Sequence, residues 1–147
     1  MAGVAKLFDG HIVNKSNEPV DLNDDIYKGK VIGLYFSAHW CPPCRGFTPV
    51  LIEFYKNYSK EKNFEIIFIS SDRDERAYNE YYKDMPWLTL PYSERKKKEE
   101  IGKKYHITGI PTLTLLDGDS GDIICKDARD KIQHRDTRGE HFPWKPS

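Results

Sequence analysis

Two continuous apolar runs of strand length dominate the pattern of hydrophobic and polar residues along the chain. They are "KVIGLYFS" at 30–37 and "FEIIFIS" at 64–70. Runs without polar alternation are typical of strands that are covered on both faces in a parallel sheet. Between them, apolar residues recur at helical spacing, at Phe47, Val50, Leu51, Phe54, Tyr55 and Tyr58. The pattern predicts a βαβ unit.

Two more polar helices are predicted after this unit. In "DRDERAYNEYYKDM" at 72–85, either Ser71 or Asp72 is placed to cap a helix. Capping of this helix also explains Asp74 better than a role as a proton carrier does. The segment "SERKKKEEIGKKY" at 93–105 predicts a second helix. Its charge run "ERKKKEE" at 94–100 mixes both signs, and pairing along the helix favours a solvated face over a nucleic-acid patch.

The last strands are predicted to form an antiparallel hairpin. Residues 111–117, "PTLTLLD", and 122–125, "DIIC", read as strands that are separated by the turn "GDSG" at 118–121. A hairpin added to a βαβ unit makes the sheet mixed. Right-handed crossovers then place helices on both faces, so the predicted fold is a three-layer α/β/α sandwich.

The length of 147 residues fits one domain, because a second core becomes common only in longer chains. We expect residues 1–27 to form an N-terminal extension and residues 134–147 an irregular C-terminal tail. Within the extension, residues 11–22 alternate apolar and polar residues around a turn at 15–17, which predicts a short strand pair at a sheet edge.

The net charge of the chain does not identify a partner. Lys and Arg together number 23, as do Asp and Glu, so no net charge favours nucleic acid, an anionic membrane or an acidic substrate. We expect neither nucleic acid nor a membrane as a partner. No apolar run is long enough to span a bilayer, and residues 1–10 lack the apolar stretch of a signal peptide. We expect a monomer in the cytoplasm or the nucleus.

Cys41 and Cys44 flank Pro42 and Pro43 where the first predicted strand gives way to a helix. Proline is tolerated in the first helical turn, and residues three apart there face the same way, so the two sulfurs can approach to bonding distance. The positive end of the helix favours a thiolate at Cys41, whereas Cys44, one turn deeper, should stay protonated. Thiol-disulfide exchange requires this asymmetry, because one sulfur attacks and the other resolves the mixed disulfide.

The cysteine pair has two other interpretations, a structural disulfide and half of a zinc site. Three cysteines are too few for a disulfide scaffold, and an odd number argues against full pairing. Two cysteines at this spacing also begin zinc ribbons, but the second half of such a site is not visible in the sequence. Cys125 has no close partner among His106, His134 and His141. We therefore expect a reactive pair, no bound metal, and a packed role for Cys125.

Four segments in order resemble one family. They are "FSAHWCPPCRGFTPVLIEFY", "MPWLTLPY", "GIPTLTLLD" and "HFPW", and together they are similar to the tryparedoxin and nucleoredoxin branch of the thioredoxin fold. The segment "FEIIFISSDRDE" at 64–75 favours a nucleoredoxin-like unit, because tryparedoxins usually carry a tryptophan where this chain has Ser71. Nucleoredoxin is a longer, multidomain protein, so this chain resembles one of its units.

The resemblance implies roles for particular residues. Cys41 would be the nucleophile and Cys44 the resolving thiol. Pro111 would be preceded by a cis bond, which presents the backbone of Ile110 to an incoming polypeptide. Trp40 would cover the disulfide and contact a partner.

Two further positions have competing interpretations. Arg45 lies in the first helical turn, where it either compensates the thiolate or packs its stem on the surface. Tyr35 stands where many thioredoxins bury an acid. A phenol is a poor base near neutral pH, so we expect Tyr35 to serve core packing.

The expected function is thiol-disulfide oxidoreduction on client proteins that contain disulfides. No bound cofactor is expected, and electrons would come from thioredoxin reductase with NADPH, from glutathione or from another dithiol. The alternative is a binding module whose disulfide state selects a protein partner without turnover. A direct peroxidase is disfavoured, since the sequence shows no set of groups that would polarise a peroxide.

Overall fold

The computed structural model describes residues 3–146. Its centre is a five-stranded sheet in the order β3-β2-β1-β4-β5. The strands are β1 (Val31–Ser37), β2 (Phe64–Ser70), β3 (Leu88–Thr89), β4 (Thr112–Asp117) and β5 (Ile123–Cys125). The α-helices are α1 (Gly3–Phe8), α2 (Pro42–Tyr58), α3 (Glu75–Tyr82), α4 (Arg95–Lys104) and the short α5 (Ala128–Asp130). A 3₁₀ turn covers Asp25–Tyr27, and a π-helical turn over Lys131–Arg135 continues α5.

The sheet is mixed, as predicted. Strand β1 runs parallel to β2, with Tyr35 opposite Phe68, and antiparallel to β4, with Tyr35 opposite Leu113. Strand β5 pairs antiparallel with β4, which confirms the predicted hairpin. Strand β3 was not predicted, and its two residues pair parallel with β2.

The two faces of the sheet carry separate cores. On one face, α2 and α3 pack against a cluster that contains Tyr35, Phe68 and Trp87. On the other face, α1 and α4 cover a cluster that contains Leu34 and Phe36. Successive residues of β1 therefore enter opposite cores, which is why its sequence is apolar throughout. The three-layer sandwich predicted from the sequence is confirmed.

The start of α3 differs from the prediction. The helix begins at Glu75, and the carboxylate of Asp74 caps it by accepting a hydrogen bond from the Ala77 N–H at 2.8 Å. The predicted capping by Asp74 is confirmed, whereas the predicted caps Ser71 and Asp72 were wrong. Both precede the helix, and the Asp72 carboxylate instead accepts a hydrogen bond from His39 N–H in the loop after β1.

The N-terminal segment is more ordered than the sequence suggested. Helix α1 was not predicted, and its Val4 and Phe8 are buried in the core that α4 also covers. The predicted strand pair within 11–22 is reduced to single bridges, in which Val13 pairs with Pro19 and with Thr89 of β3.

Residues 134–147 were predicted to be an irregular tail. The described part, up to 146, begins inside the π-helical turn and continues without strands. Its Phe142 and Trp144 pack against Phe54 near the end of α2. In the part of the chain that the structure describes, no helix is both long and apolar enough to cross a membrane.

Candidate functional site

Cys41 lies at the junction of a buried strand and a helix. Strand β1 ends at Ser37, and α2 begins at Pro42 with Cys41 as its N-cap. The Cys41 sulfur accepts a hydrogen bond from the Cys44 backbone N–H at 3.4 Å. An N-terminal N–H that points at this sulfur stabilises negative charge on it. The predicted position of Cys41 at the helix start is confirmed.

Cys44 lies one turn further along α2 and is fully buried. Burial is the main reason why the pKa of the Cys44 thiol is raised to about 11, and the contact with Cys41 adds to it. The nearby Ser37 side chain and the Ala38 backbone act in the opposite direction. Cys44 is therefore protonated at neutral pH, as the sequence predicted. The two sulfurs differ in environment although they share one helical turn.

The loop before β4 closes over the thiols. The Ile110–Pro111 peptide bond is cis, as predicted. Ile110 packs against the small cluster that Ala38, Cys41 and Cys44 form. Within residues 3–146, the backbone N–H and C=O of Ile110 have no hydrogen-bond partner. The loop thus leaves one unpaired backbone unit beside the sulfurs.

Trp40 lies beside the nucleophile and is 47% exposed. Its Nε1 donates a hydrogen bond to the Ser71 carbonyl at 3.0 Å, and the Arg73 guanidinium lies 4.9 Å from its ring centroid. The indole is thus held in place while much of its surface stays open. Trp40 is not buried in the core, and a half-exposed, fixed aromatic ring suits contact with a partner.

The other predicted site residues lie at the surface of α2. Pro42 and Pro43 occupy the first turn, and both are exposed, as is Arg45. The Arg45 backbone N–H donates to the Cys41 carbonyl at 3.1 Å, but its guanidinium forms no ion pair or hydrogen bond among residues 3–146. Its compensation of a thiolate at Cys41 stays a prediction.

Asp72 is the site residue that the sequence did not reveal. It is only 4% exposed. One carboxylate oxygen accepts the His39 N–H at 2.7 Å, and the other accepts the Ser70 hydroxyl at 2.7 Å. The loop that carries Trp40 and Cys41 is therefore tied to the end of β2. Three candidate caps precede α3 in the sequence, and nothing in that pattern distinguishes Asp72 from Asp74.

A chain of buried hydroxyl groups lies beneath the thiols. The Tyr35 and Tyr81 hydroxyls each lie 2.6 Å from Thr48 Oγ1, and the Ser37 hydroxyl lies 2.6 Å from that of Tyr81. Thr48 also donates to the Cys44 carbonyl at 2.9 Å. Burial raises the pKa of Tyr35 far above its ordinary value, so its hydroxyl is not a base.

The bond from Thr48 to a carbonyl sets the direction of this chain. A carbonyl only accepts, so the single Thr48 hydroxyl hydrogen is used there. Tyr35 and Tyr81 must then donate to Thr48, and Ser37 must donate to Tyr81. The predicted packing role of Tyr35 is correct, since its ring is fully buried and meets Phe47 edge to face at 5.9 Å. Its hydroxyl is, in addition, the end of the chain.

Cys125 lies in β5 and is buried in the core under α2. Burial raises the pKa of its thiol, which makes it a weak nucleophile. Among the described residues, no three His, Cys, Asp or Glu side chains group as a metal ion would need.

The sandwich, the helix-capping thiol and the cis proline loop define a class of redox protein. The chain belongs to the thioredoxin-like family, whose model matches residues 29–123. It is 46% identical to the tryparedoxin of Trypanosoma brucei brucei over 146 residues, which cover 98% of this chain and 99% of that relative. A solved structure of tryparedoxin from Trypanosoma brucei has a TM-score of 0.91 at 44% identity and matches 99% of this chain and 100% of that one.

Human nucleoredoxin is also similar, at 41% identity over 131 residues. The match covers 88% of this chain but 30% of nucleoredoxin. The predicted tryparedoxin and nucleoredoxin branch is confirmed, and the likeness over the whole length is to a tryparedoxin. With these relatives, the chain is a thiol-disulfide oxidoreductase of the thioredoxin type.

Proposed function

We propose that the protein reduces disulfides of client proteins by cycling Cys41 and Cys44 between dithiol and disulfide. The Cys41 thiolate attacks one sulfur of the client disulfide, and the other client sulfur leaves as a thiolate and takes up a proton. Cys44 then loses its proton and attacks the Cys41 sulfur. The Cys41–Cys44 disulfide forms, and the second client sulfur leaves reduced. Two electrons have passed to the client.

One observation carries this proposal. The Cys44 backbone N–H, in the first turn of α2, points at the Cys41 sulfur, while the Cys44 thiol is buried one turn behind it. The first sulfur is stabilised as an attacking thiolate. The second is protected from solvent and becomes reactive only when a mixed disulfide forms next to it.

The surroundings of the thiols suit a polypeptide substrate. The free backbone N–H and C=O of Ile110 can pair with an extended client segment, as in strand addition. Trp40 supplies apolar contact on the same side. These two residues, with Pro111 holding the loop, are the proposed substrate-binding residues.

The proposed electron source is an external thiol system. The candidates are thioredoxin reductase with NADPH, glutathione or another dithiol. One similar structure, at 38% identity and a TM-score of 0.92, is a tryparedoxin II in complex with glutathionylspermidine. That likeness favours a thiol derived from glutathione as the reductant. Coupling each donor in turn to insulin reduction would identify it.

Turnover and trapping test the proposal together. The wild type should reduce insulin catalytically with excess dithiothreitol, whereas a binding module without turnover would not. In a cell extract, Cys44→Ser combined with Cys125→Ser should accumulate mixed disulfides that dithiothreitol releases, and Cys41→Ser should trap few. Equal trapping by Cys41→Ser would show that Cys41 is not the attacking thiol. Absence of insulin turnover would remove the proposed activity.

A further inference from the structure

A surface groove of about 520 Å³ runs from the thiols along α4. One wall is apolar and includes Phe36, Trp40, Ile107 and Ile110. Ile110 also packs on the cluster of Cys41 and Cys44. The groove therefore begins where a client disulfide would react and continues away from it.

The lining of the groove also carries charged side chains. Lys98 and Lys103 line it together with one acid, Glu99. The Lys98 side chain is only 22% exposed, so its stem lies against the protein, whereas Glu99 is 71% exposed. The whole chain has equal numbers of basic and acidic residues. The lining therefore has one more lysine than acid in a chain whose charges balance overall.

Structural roles do not account for the positive charges of Lys98 and Lys103. Lys98 Nζ lies 3.5 Å from a Glu99 oxygen, but the Glu99 side chain is largely in solvent, so this ion pair contributes little to stability. Lys103 lies in the last turn of α4, where Lys104 also offsets the helix dipole. The Arg73 guanidinium, 4.9 Å from the centroid of the Trp40 ring, places a further cation beside this lining residue.

We propose that this groove binds an acidic, extended segment of the client polypeptide next to its reactive disulfide. This inference rests on the proposed function and names the class of protein substrate. The client backbone would pair with the free N–H and C=O of Ile110, and alternate side chains would face the groove. Asp or Glu side chains there would meet Lys98 and Lys103. A basic segment would face like charges and be disfavoured.

Three synthetic peptides with one intramolecular disulfide test the inference. They differ only in the two residues on each side of the cysteines, which are Asp, Ser or Lys. At low ionic strength we expect kcat/KM for the Asp peptide to exceed that for the Lys peptide by about tenfold, and the ratio to fall to about twofold near 0.5 M salt. Insulin reduction is measured beside them.

Two variants of the full chain with equal charge locate the effect. Lys98→Gln with Lys103→Gln should lower the preference for the Asp peptide to about twofold and leave the Ser peptide unchanged. Lys96→Gln with Lys104→Gln removes the same charge from the same helix outside the groove, and should keep the preference. Unfolding in urea verifies that all variants are folded.

The outcomes separate this inference from the function on which it rests. Equal rates for the three peptides, or equal loss in both double variants, would overturn the groove assignment while insulin reduction continues. Failure to reduce insulin and every peptide would instead overturn the proposed function. If glutathione disulfide depends on Lys98 and Lys103 but the peptides do not, the groove serves a small anionic thiol and the polypeptide assignment is wrong.

Discussion

The two thiols differ because of their immediate neighbours. Cys41 caps a helix and its sulfur accepts a backbone N–H, whereas Cys44 is fully buried. The difference between the two thiols thus follows from their positions at the start of α2. One helical turn separates a sulfur that accepts a helix N–H from a sulfur that is fully buried.

Single-thiol variants measure this difference directly. With Cys44→Ser and Cys125→Ser, Cys41 should react with iodoacetamide readily near pH 7. With Cys41→Ser and Cys125→Ser, Cys44 should react slowly, and its rate should climb about tenfold per pH unit toward a pKa of about 11, because burial is the main cause of that pKa. Mass spectrometry of timed samples gives both rates. A faster Cys44 at pH 7 would reverse the assignment.

Thr48 decides the polarity of the hydroxyl chain under the site. Tyr35→Phe removes one donor and leaves Thr48 its bonds with Tyr81 and Cys44, so reductase activity should change less than about twofold while stability falls by about 1 kcal/mol. Thr48→Val leaves two buried tyrosine hydroxyls without their acceptor and should cost about 2–4 kcal/mol.

The double variant distinguishes a chain from separate contacts. With Phe at position 35, Thr48→Val orphans one hydroxyl instead of two, so it should cost about 1 kcal/mol less than in the wild type. Urea unfolding of all four proteins gives the coupling. Additive effects would mean that the two residues do not share a hydrogen bond.

At the scale of elements, the two ends of α2 have different roles. The first turn holds the thiols, and the far end contributes to stability. Asp72 ties the loop after β1 to the end of β2. The far end of α2 is held by the C-terminal segment, where Trp144 lies 6.4 Å from Phe54 and 5.2 Å from Phe142 between ring centroids. About 18 Å of helix separates that contact from the first turn.

Two tryptophans should therefore give opposite results. Trp144→Ala removes packing on α2 and the Nε1 bond to Asp136, so it should cost about 2 kcal/mol and leave insulin reduction unchanged. Trp40→Ala removes a half-exposed ring beside the thiols and should lower kcat/KM severalfold with little loss of stability. Urea unfolding curves and initial rates of insulin reduction are measured for both variants. An activity loss in Trp144→Ala at full stability would contradict this division.

Long patterns in the sequence predicted the elements that form the centre of the fold. Strands β1 and β2 are continuous apolar runs, and α2 has several turns of apolar spacing, so each pattern stood above local noise. Strand β3 has two residues and exists because β2 lies beside it. Helix α1 has six residues, too few for periodicity to identify.

The site followed the same rule. Cys41 and Cys44 were found because a strand end and a proline pair mark the helix start within a few residues. Asp72 was missed because its partner, His39 N–H, comes from another part of the chain. Local sequence fixes what a carboxylate can do, but tertiary contact decides which donor it meets.

At the scale of the whole molecule, the core under α2 and α3 contains many tyrosines. Burial raises the pKa of Tyr35, Tyr55, Tyr81 and Tyr82 above that of free tyrosine. Their neutral forms are favoured by folding, so this contribution to stability is complete below about pH 10, where unfolded tyrosine is neutral too. It is lost as the pH rises above that value.

The urea midpoint should consequently stay nearly constant from about pH 7 to 8.5 and fall steeply above about pH 10. The thiol of Cys44 adds to the loss from about pH 9, since its folded pKa is also raised. Fluorescence-monitored unfolding at each pH gives the midpoint, and tyrosinate absorbance should rise together with unfolding. Tyrosine ionisation without unfolding at pH 11 would show that these hydroxyls are open to solvent.

The bridge between Val13 and Thr89 covers one edge of the sheet. Val13 N–H donates to the Thr89 carbonyl and Val13 C=O accepts the Thr89 N–H, each at 3.1 Å, so the N-terminal segment caps the outer edge of β3. An open edge strand presents unpaired backbone N–H and C=O groups with which strands of other chains can pair and aggregate. The sheet is therefore covered against edge-to-edge pairing at β3, while the backbone of Ile110, beside the thiols, stays open to an incoming strand.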